Sequence, residues 1–296
     1  MPLHYELSDL RLLLILMRTR SLSASGEAAH LTTSAVSLRL RKLEDGIGAQ
    51  LFTRTGKGLV PTEAGTALAE AAVPILAEAA ALDARLNPFS KHDPEPLRIF
   101  SNSTGLQNFL CRIAADYLRE NSSFRAVLTE QRSSLTPEAV LTGEADLGLI
   151  GGIRELSPAY RTKLELVQFV EDRHVVILPR DSSAAQQFKN RPILFAELTD
   201  ASPMTAAMKE RALAAGFRFE PIIEAPSFSL LVELVARGPL AAVVPASAVP
   251  PNAPVEVREL EDSWAARPLA FVLPKARPAL PSAIDFVEFA LRTQKR

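Results

Sequence analysis

Residues 21–65 read SLSASGEAAHLTTSAVSLRLRKLEDGIGAQLFTRTGKGLVPTEAG. Their punctuation divides them into short helices, a longer third helix, a basic hairpin and a new helix start. Thr32 offers a side-chain oxygen to cap the third helix. Val36, Leu40 and Leu43 then follow at i, i+4 and i+7, a stripe that packing must bury. The opposite face is Thr33, Ser34, Ser37, Leu38 and Arg41, which are short, polar or cationic apart from one leucine. Gly56-Lys57-Gly58 separates residues 51–55 from residues 59–60, and two glycines tolerate the positive φ that a tight hairpin needs.

A helix, a turn, a polar-faced helix and a basic hairpin in that order predict a winged helix-turn-helix. Such a module places the N-terminal half of its third helix in a major groove about 12 Å wide, where acidic side chains are repelled by phosphate. Thr33, Ser34, Ser37 and Leu38 are then the candidates for facing bases, and Arg39, Arg41, Lys42, Arg54 and Lys57 for phosphate contacts, with the cap Thr32 also counted in the DNA-binding set. Any exposed hairpin carries Lys and Arg for solubility, but this one directly follows the polar-faced helix. Net charge is −1 over 296 residues, so the chain as a whole is no polycation. Within residues 31–60, however, the five cations above face only Glu44 and Asp45, a local balance of +3. A basic patch on a neutral chain fits sequence-directed DNA binding better than bulk coating of nucleic acid. His30, just before the third helix, suits a turn-packing or DNA-facing role.

Working outward, Ser8 is expected to cap a first helix whose Leu10, Leu13, Leu14 and Met17 share one face. From Thr62 a long helix carries Leu68, Ala72, Ile75, Ala79, Leu82 and Leu86 at alternating spacings of four and three. That heptad seam calls for a partner, most simply the same helix of a second chain; the alternative is a helix packed on its own domain. Pro74 inside it is expected to kink or shorten the paired part. Residues 87–96, NPFSKHDPEP, combine three prolines with polar residues and read as a linker.

The remainder alternates strands and helices, the order of a mixed α/β fold. A strand LRIF leads into Ser101-Asn102-Ser103-Thr104-Gly105, followed by a helix with Leu106, Leu110, Ile113, Ala114 and Tyr117 inward. Further strands are expected at 126–130, 146–150, 164–170, 174–179, 240–244 and 269–273, with a helix at 137–142. Hydroxyls and amides between a strand's carboxyl end and a helix N-terminus suit an anionic or polar ligand, although Ser103 and Thr104 also serve such a helix merely as caps. No histidine pair has metal-ligand spacing, and the one cysteine, Cys111, is expected as a half-buried inert thiol. Glu171-Asp172-Arg173 and Asp116-x-x-Arg119-Glu120 are expected as solvated faces with local ion pairs. A hydrophobic content of 47% suffices for more than one core. No apolar run is expected to reach the roughly 18 residues of a membrane span, and residues 10–17 lack a cleavage site, which points to the cytoplasm.

The motifs Ser21-Leu22-Ser23, Ala35-Val36-Ser37, Leu43-Glu44, Gly48, Leu51-Phe52-x-Arg54 and Thr62-x-Ala64-Gly65 resemble, in order and without gaps, the pattern of the LysR-type transcriptional regulators. The chain departs from that pattern at Ser25-Gly26, usually Ala-Ala, and at Thr32-Thr33-Ser34, usually Ser-Gln-Pro, which implies a different operator preference. LTGEADLGLIGG, LVELVARGPLAAVVP and RPLAFVLP resemble the effector domain of the same family. The resemblance implies an α/β chain with an N-terminal winged helix-turn-helix at 1–61, a dimerisation helix at 62–88, a hinge at 89–96 and a two-lobed, type 2 periplasmic-binding-protein-like effector domain at 97–296. Lobe I would be 97–163 and 268–296, and lobe II 164–267, joined by crossing strands near 162–168 and 265–270. A small-molecule effector, a carboxylate or a neutral polar metabolite, would lie between the lobes. Lobe I would offer Ser101, Asn102, Ser103, Thr104 and Gly151; lobe II would offer Ser202 and Thr205 of the loop 200–205, with Phe228 and Val244. Double-stranded DNA, further copies of the chain in a dimer or tetramer, and RNA polymerase are the implied partners, with no membrane, no cofactor and no catalysis. A ModE-like oxyanion sensor would share the DNA reader without the long alternating second half. A solute-binding protein would need a secretory signal, and an enzyme would need a paired base in the candidate loops.

Overall fold

The computed structural model describes residues 5–56, 58–86, 89, 95–153, 156–180, 195–198, 206, 209–210, 221–275 and 279–294. Lys57, Ser202, Thr205 and the rest of the loop 200–205 lie outside the described residues, as does most of the linker 87–96. The chain divides into two compact units. One comprises Met1–His92 with Glu138–Glu144 and Pro274–Pro278; the other comprises Asp93–Pro137, Ala145–Leu273 and Ala279–Arg296.

The first unit is α1 (Leu7–Thr19), α2 (Leu22–Ala29), α3 (Thr33–Ile47), β1 (Phe52–Thr55), β2 (Gly58–Pro61) and α4 (Glu63–Leu86). Its core joins Leu10, Leu13 and Leu16 of α1 to the predicted stripe Val36, Leu40 and Leu43 and to Leu51, Phe52 and Leu59 of the hairpin. Thr32 caps α3 as expected, accepting the Ala35 N–H at 3.2 Å. Ser8 does not cap α1. The Glu6 N–H bonds the Asp9 carboxylate at 3.0 Å, which sets the start of the helix earlier, and Ser8 lies inside it, donating to Glu6 at 3.2 Å. The hairpin pairs Phe52 with Pro61 and Thr55 with Gly58. Gly58 has φ 121° and lies so close to Arg20 that a Cβ would stand 2.6 Å from its carbonyl oxygen, the same oxygen that accepts the Leu59 N–H at 2.8 Å. Only glycine meets both conditions.

α4 runs through Pro74 as one helix of 24 residues. The bond lost at Pro74 would have gone to the carbonyl of Glu70, and both residues are exposed, where the loss costs least. The predicted seam is divided: Ala72 is buried in the unit's own core and Leu68 packs against it, whereas Ile75, Leu82 and Leu86 are exposed. Contrary to the sequence-based expectation, Glu63–Asp83 is long and apolar enough to cross a membrane, with a mean hydropathy of 1.4. Part of that apolar surface is the face buried by Ala69, Ala72 and Leu76.

The second unit is built on one mixed sheet of nine strands: β3 (Leu97–Ser101), β4 (Ala126–Glu130), β5 (Leu147–Ile150), β6 (Leu164–Pro179), β7 (Phe195–Leu198), β8 (Ile223–Ala225), β9 (Ala241–Pro245), β10 (Val255–Glu259) and β11 (Ala266–Pro274). The order is β4-β3-β5-β11-β6-β9-β7-β8, with β10 paired to β6. Its helices are α5 (Ser103–Gly105), continued through a π-helical stretch Leu106–Leu110 into α6 (Cys111–Glu120), then the first two residues of α7 (Thr136–Leu141), whose remainder belongs to the first unit, and α8 (Pro158–Lys163), α9 (Phe228–Arg237) and α10 (Pro281–Gln294). Two cores flank the long strands. Ile99, Leu110, Tyr117, Leu149, Phe169, Phe271 and Phe286 belong to one; Val175, Ile177, Leu231, Val235 and Val244 belong to the other. β6 thus leaves the first core after Val170 and enters the second at Val175, the geometry of a strand crossing between lobes, with β11 beside it. Two separate strands were expected at 164–170 and 174–179; the charged residues between them belong instead to a single strand.

Candidate functional sites

On α3, Thr33, Ser34, Leu38 and Arg41 are exposed, Leu38 by 54%. At about 100° per residue, Ser34, Leu38 and Arg41 share one face, while Arg39 lies about 160° around the helix from Arg41. Arg39 is half-buried, so the structure does not bring it onto that face. Arg54 on β1 does join it, donating from Nη2 to Ser37 Oγ at 3.0 Å. Two residues from the predicted set, one on the hairpin and one on the helix, therefore form a single polar contact. Thr32 and Ser34 hydroxyls lie 3.0 Å apart at the helix start.

Behind this face, side chains whose role sequence reasoning missed fix the hairpin. Glu44 Oε1 accepts the N–H groups of Leu51 at 2.8 Å and Phe52 at 3.2 Å, which sets where the chain leaves α3. Thr62 donates from Oγ1 to the Gln50 carbonyl at 2.7 Å and accepts the Gly65 N–H at 3.0 Å, so it caps α4 while holding the hairpin's base. A Cβ at Gly65 would overlap the Leu51 carbonyl oxygen. The departure at Ser25 is also explained: its buried hydroxyl lies 2.6 Å from Thr19 Oγ1. The motif residues Glu44, Thr62 and Gly65 carried the signal, but their spacing alone does not reveal these contacts.

In the second unit, Ser101, Asn102, Ser103 and Thr104 do stand at the carboxyl end of β3, but two of them have structural work. Ser101 is buried and donates to the Leu149 carbonyl at 2.7 Å, which ties β3 to β5. Asn102 caps α5 by accepting the Gly105 N–H at 2.8 Å and donates to Ser133 Oγ at 2.9 Å. Thr104 is also buried, and Ser103 is half-buried. Val244 is wholly buried in the lobe II core, and Phe228 packs against that core, so Val244 in particular is a packing residue. Cys111 is exposed, not half-buried.

The largest correction concerns Glu171-Asp172-Arg173. Arg173 and Glu171 form the expected local pair at 3.5 Å. Asp172 is instead buried, on the crossing stretch of β6. Its carboxylate accepts Arg267 Nη1 at 3.0 Å, the Ser247 N–H at 3.1 Å and Ser247 Oγ at 2.8 Å. Asn108 in turn donates from Nδ2 toward Ser247 Oγ at 3.4 Å, reaching from the lobe I helix to the lobe II turn after β9. Gly151, at the end of β5, lies under the Arg267 guanidinium: a Cβ there would stand 2.8 Å from Nε. Burial pulls the Arg267 pKa below its ordinary value, and the charge of Asp172 and its hydrogen bond oppose the pull. His174, two residues along β6, is lowered to about 4 by burial first and by the Arg267 charge second, against a backbone hydrogen bond with Ala265. It is therefore neutral at pH 7. The carboxyl ends of β5 and β9 meet at this cluster, where open α/β sheets place their ligands. Among the described residues, no group of three or more His, Cys, Asp or Glu side chains is arranged to hold a metal ion.

Comparison with known proteins matches both units. Residues 7–66 match the model of the bacterial regulatory helix-turn-helix protein, lysR family, and residues 90–295 match the LysR substrate binding domain. An uncharacterized HTH-type transcriptional regulator, YeiE of Escherichia coli K12, is 28% identical over 184 residues, 62% of this chain and 60% of that protein. The matched stretch thus spans less than two thirds of that relative's length. A full-length, cysteine-substituted OxyR from Pseudomonas aeruginosa has a similar fold, with TM-score 0.58 at 19% identity over 98% of each chain. Full-length CbnR complexed with its target DNA gives TM-score 0.52 at 18% identity, over 99% of this chain and 100% of that one.

Proposed function

Because this chain belongs to the LysR family, we propose that it is a ligand-responsive transcriptional regulator that binds operator DNA through α3 and the β1–β2 hairpin. The reading is carried by the exposed polar face of α3 and its tie to the hairpin through Arg54 and Ser37. Thr33, Ser34, Ser37 and Leu38 face bases; Arg41, Lys42, Arg54 and Lys57 contact phosphate, and Arg39 supports the helix from its flank. The solved CbnR complex, in which a protein of the same fold holds its target DNA, supports this assignment. α4 pairs two copies of the chain through its exposed apolar positions, giving the dimer or tetramer that presents two readers to two half-sites. A small molecule bound between the lobes favours one closure over another and shifts the assembly by no more than its differential affinity. No catalytic role is assigned, and the place of action is the bacterial cytoplasm, where operator DNA and RNA polymerase are found.

The test is binding of the purified protein to the DNA flanking its own gene, titrated against salt and read together with the mass of the complex. Saturable, site-preferring binding with log K falling linearly in log salt is the expected outcome. Equal affinity for random DNA at moderate salt would remove the regulator reading.

A further inference from the structure

We propose that Arg267 reads the effector, taking a carboxylate on the Nε–Nη2 edge of its guanidinium; this rests on the reading of the inter-lobe region as the effector site. The Arg267 side chain is 11% exposed and Asp172 is 3% exposed, so the pair is built into the junction of the crossing strands. Asp172 occupies only Nη1. Among the described residues no acceptor is bonded to Nε or Nη2, the edge whose two parallel N–H groups match the two oxygens of a carboxylate. Asp172 does not compete for that edge, because the Ser247 N–H, Ser247 Oγ and Arg267 Nη1 already hold its oxygens.

Glycine at position 151 keeps this edge clear of a side chain. Gly151 lacks the Cβ that would stand 2.8 Å from Nε and 3.0 Å from Nη2. Lobe I contributes the bare glycine at the end of β5, lobe II contributes Ser247 after β9, and β11 carries the arginine. A ligand seated there touches both lobes and the strand between them, so its presence bears on their closure. Charge selects within the oxyanions: Asp172 already offsets one unit, so a singly charged planar group fits, and a dianion is repelled across the guanidinium.

Formate is the minimal probe, added to the full-length protein at constant ionic strength and followed through the ¹⁵N-labelled arginine Nε–H signals, with Arg267→Lys identifying the signal of interest. The expected result is a saturable displacement of that one signal by formate, with a dissociation constant on the order of millimolar, as so small a ligand permits. Neither chloride nor formamide should displace it, and Gly151→Ala, which fills the space, should abolish the response. No saturable displacement, an equal displacement by formamide, or an unchanged response in Gly151→Ala would each overturn the assignment. The same wild-type sample is titrated with the flanking DNA. Loss of site preference with the formate response intact removes the regulator reading alone, whereas the reverse removes Arg267 alone.

Discussion

A methyl group at position 65 would overlap the Leu51 carbonyl oxygen, and a backbone atom cannot swing aside as a side-chain terminus can. Gly65→Ala should therefore force the start of α4 away from the hairpin. Overpacking of this kind costs roughly 1–3 kcal/mol. The expected outcome is a melting temperature lower by several degrees, read by calorimetry; an unchanged value would show that the two segments separate freely. His174 makes a prediction of opposite character, since it concerns a proton. Its imidazole is held to about 4 in the folded chain and titrates near 6.5 when unfolded. Between those values the unfolded chain binds a proton that the native state refuses. The contribution is thus fully present above about pH 6.5, declines as the pH falls through that window and is gone below about 4. At 1.36 kcal/mol per pKa unit its size is roughly 3 kcal/mol. Urea midpoints measured from pH 7 to pH 4 should fall steeply in the wild type and less in His174→Gln. Parallel curves would mean that another group sets the slope.

At the scale of elements, two contacts couple the helix to the hairpin, Glu44 to the first residues of the hairpin and Arg54 to Ser37, as the proposed reading of DNA by both together requires. Arg54→Ala removes a cation that the proposed function places against phosphate, so it should weaken binding to all DNA sequences alike and reduce the salt slope by about 1. Ser37→Ala leaves the cation but removes both its tether and a hydroxyl of the proposed base-facing set. It should leave the salt slope unchanged and lower affinity by a smaller factor, measured in the same fluorescence titrations; an unchanged slope in Arg54→Ala would refute the phosphate contact. Legibility differed between these elements for physical reasons. The stripe Val36, Leu40 and Leu43 and the cap Thr32 were readable because burial and capping recur at fixed local spacings. Ser8 misled because a competing reciprocal bond between Glu6 and Asp9 starts the helix first. β6 read as two strands because Asp172 looks solvent-seeking in sequence, and only the fold brings Arg267, 95 residues away, to neutralise it.

On the scale of the whole molecule, two α/β cores on shared crossing strands were legible from the alternation of elements; of the cluster at their junction only Gly151 was expected, through family resemblance, whereas Asp172, Ser247 and Arg267 converge from distant segments and carry no local signal. The linker helix shows the same divide between local and distant information. Its heptad register was readable, but sequence does not tell which positions its own domain covers. Ala72 and Leu76 are wholly buried within the first unit, whereas Ile75 is 42% exposed and Leu82 and Leu86 are each 55% exposed. These two sets make separable predictions. Leu76→Glu places a charge in the domain's own core and should lower its melting temperature by several degrees or prevent folding. Leu82→Glu combined with Leu86→Glu touches only the exposed set, so the variant should fold with its melting temperature little changed when compared as a monomer. It should sediment as a single chain, and its operator affinity should fall by at least about tenfold, a change of about 1.4 kcal/mol, because the second reader is no longer delivered with the first. A double variant that still sediments as a dimer would place self-association elsewhere and leave this apolar face of α4 without a second copy to cover it.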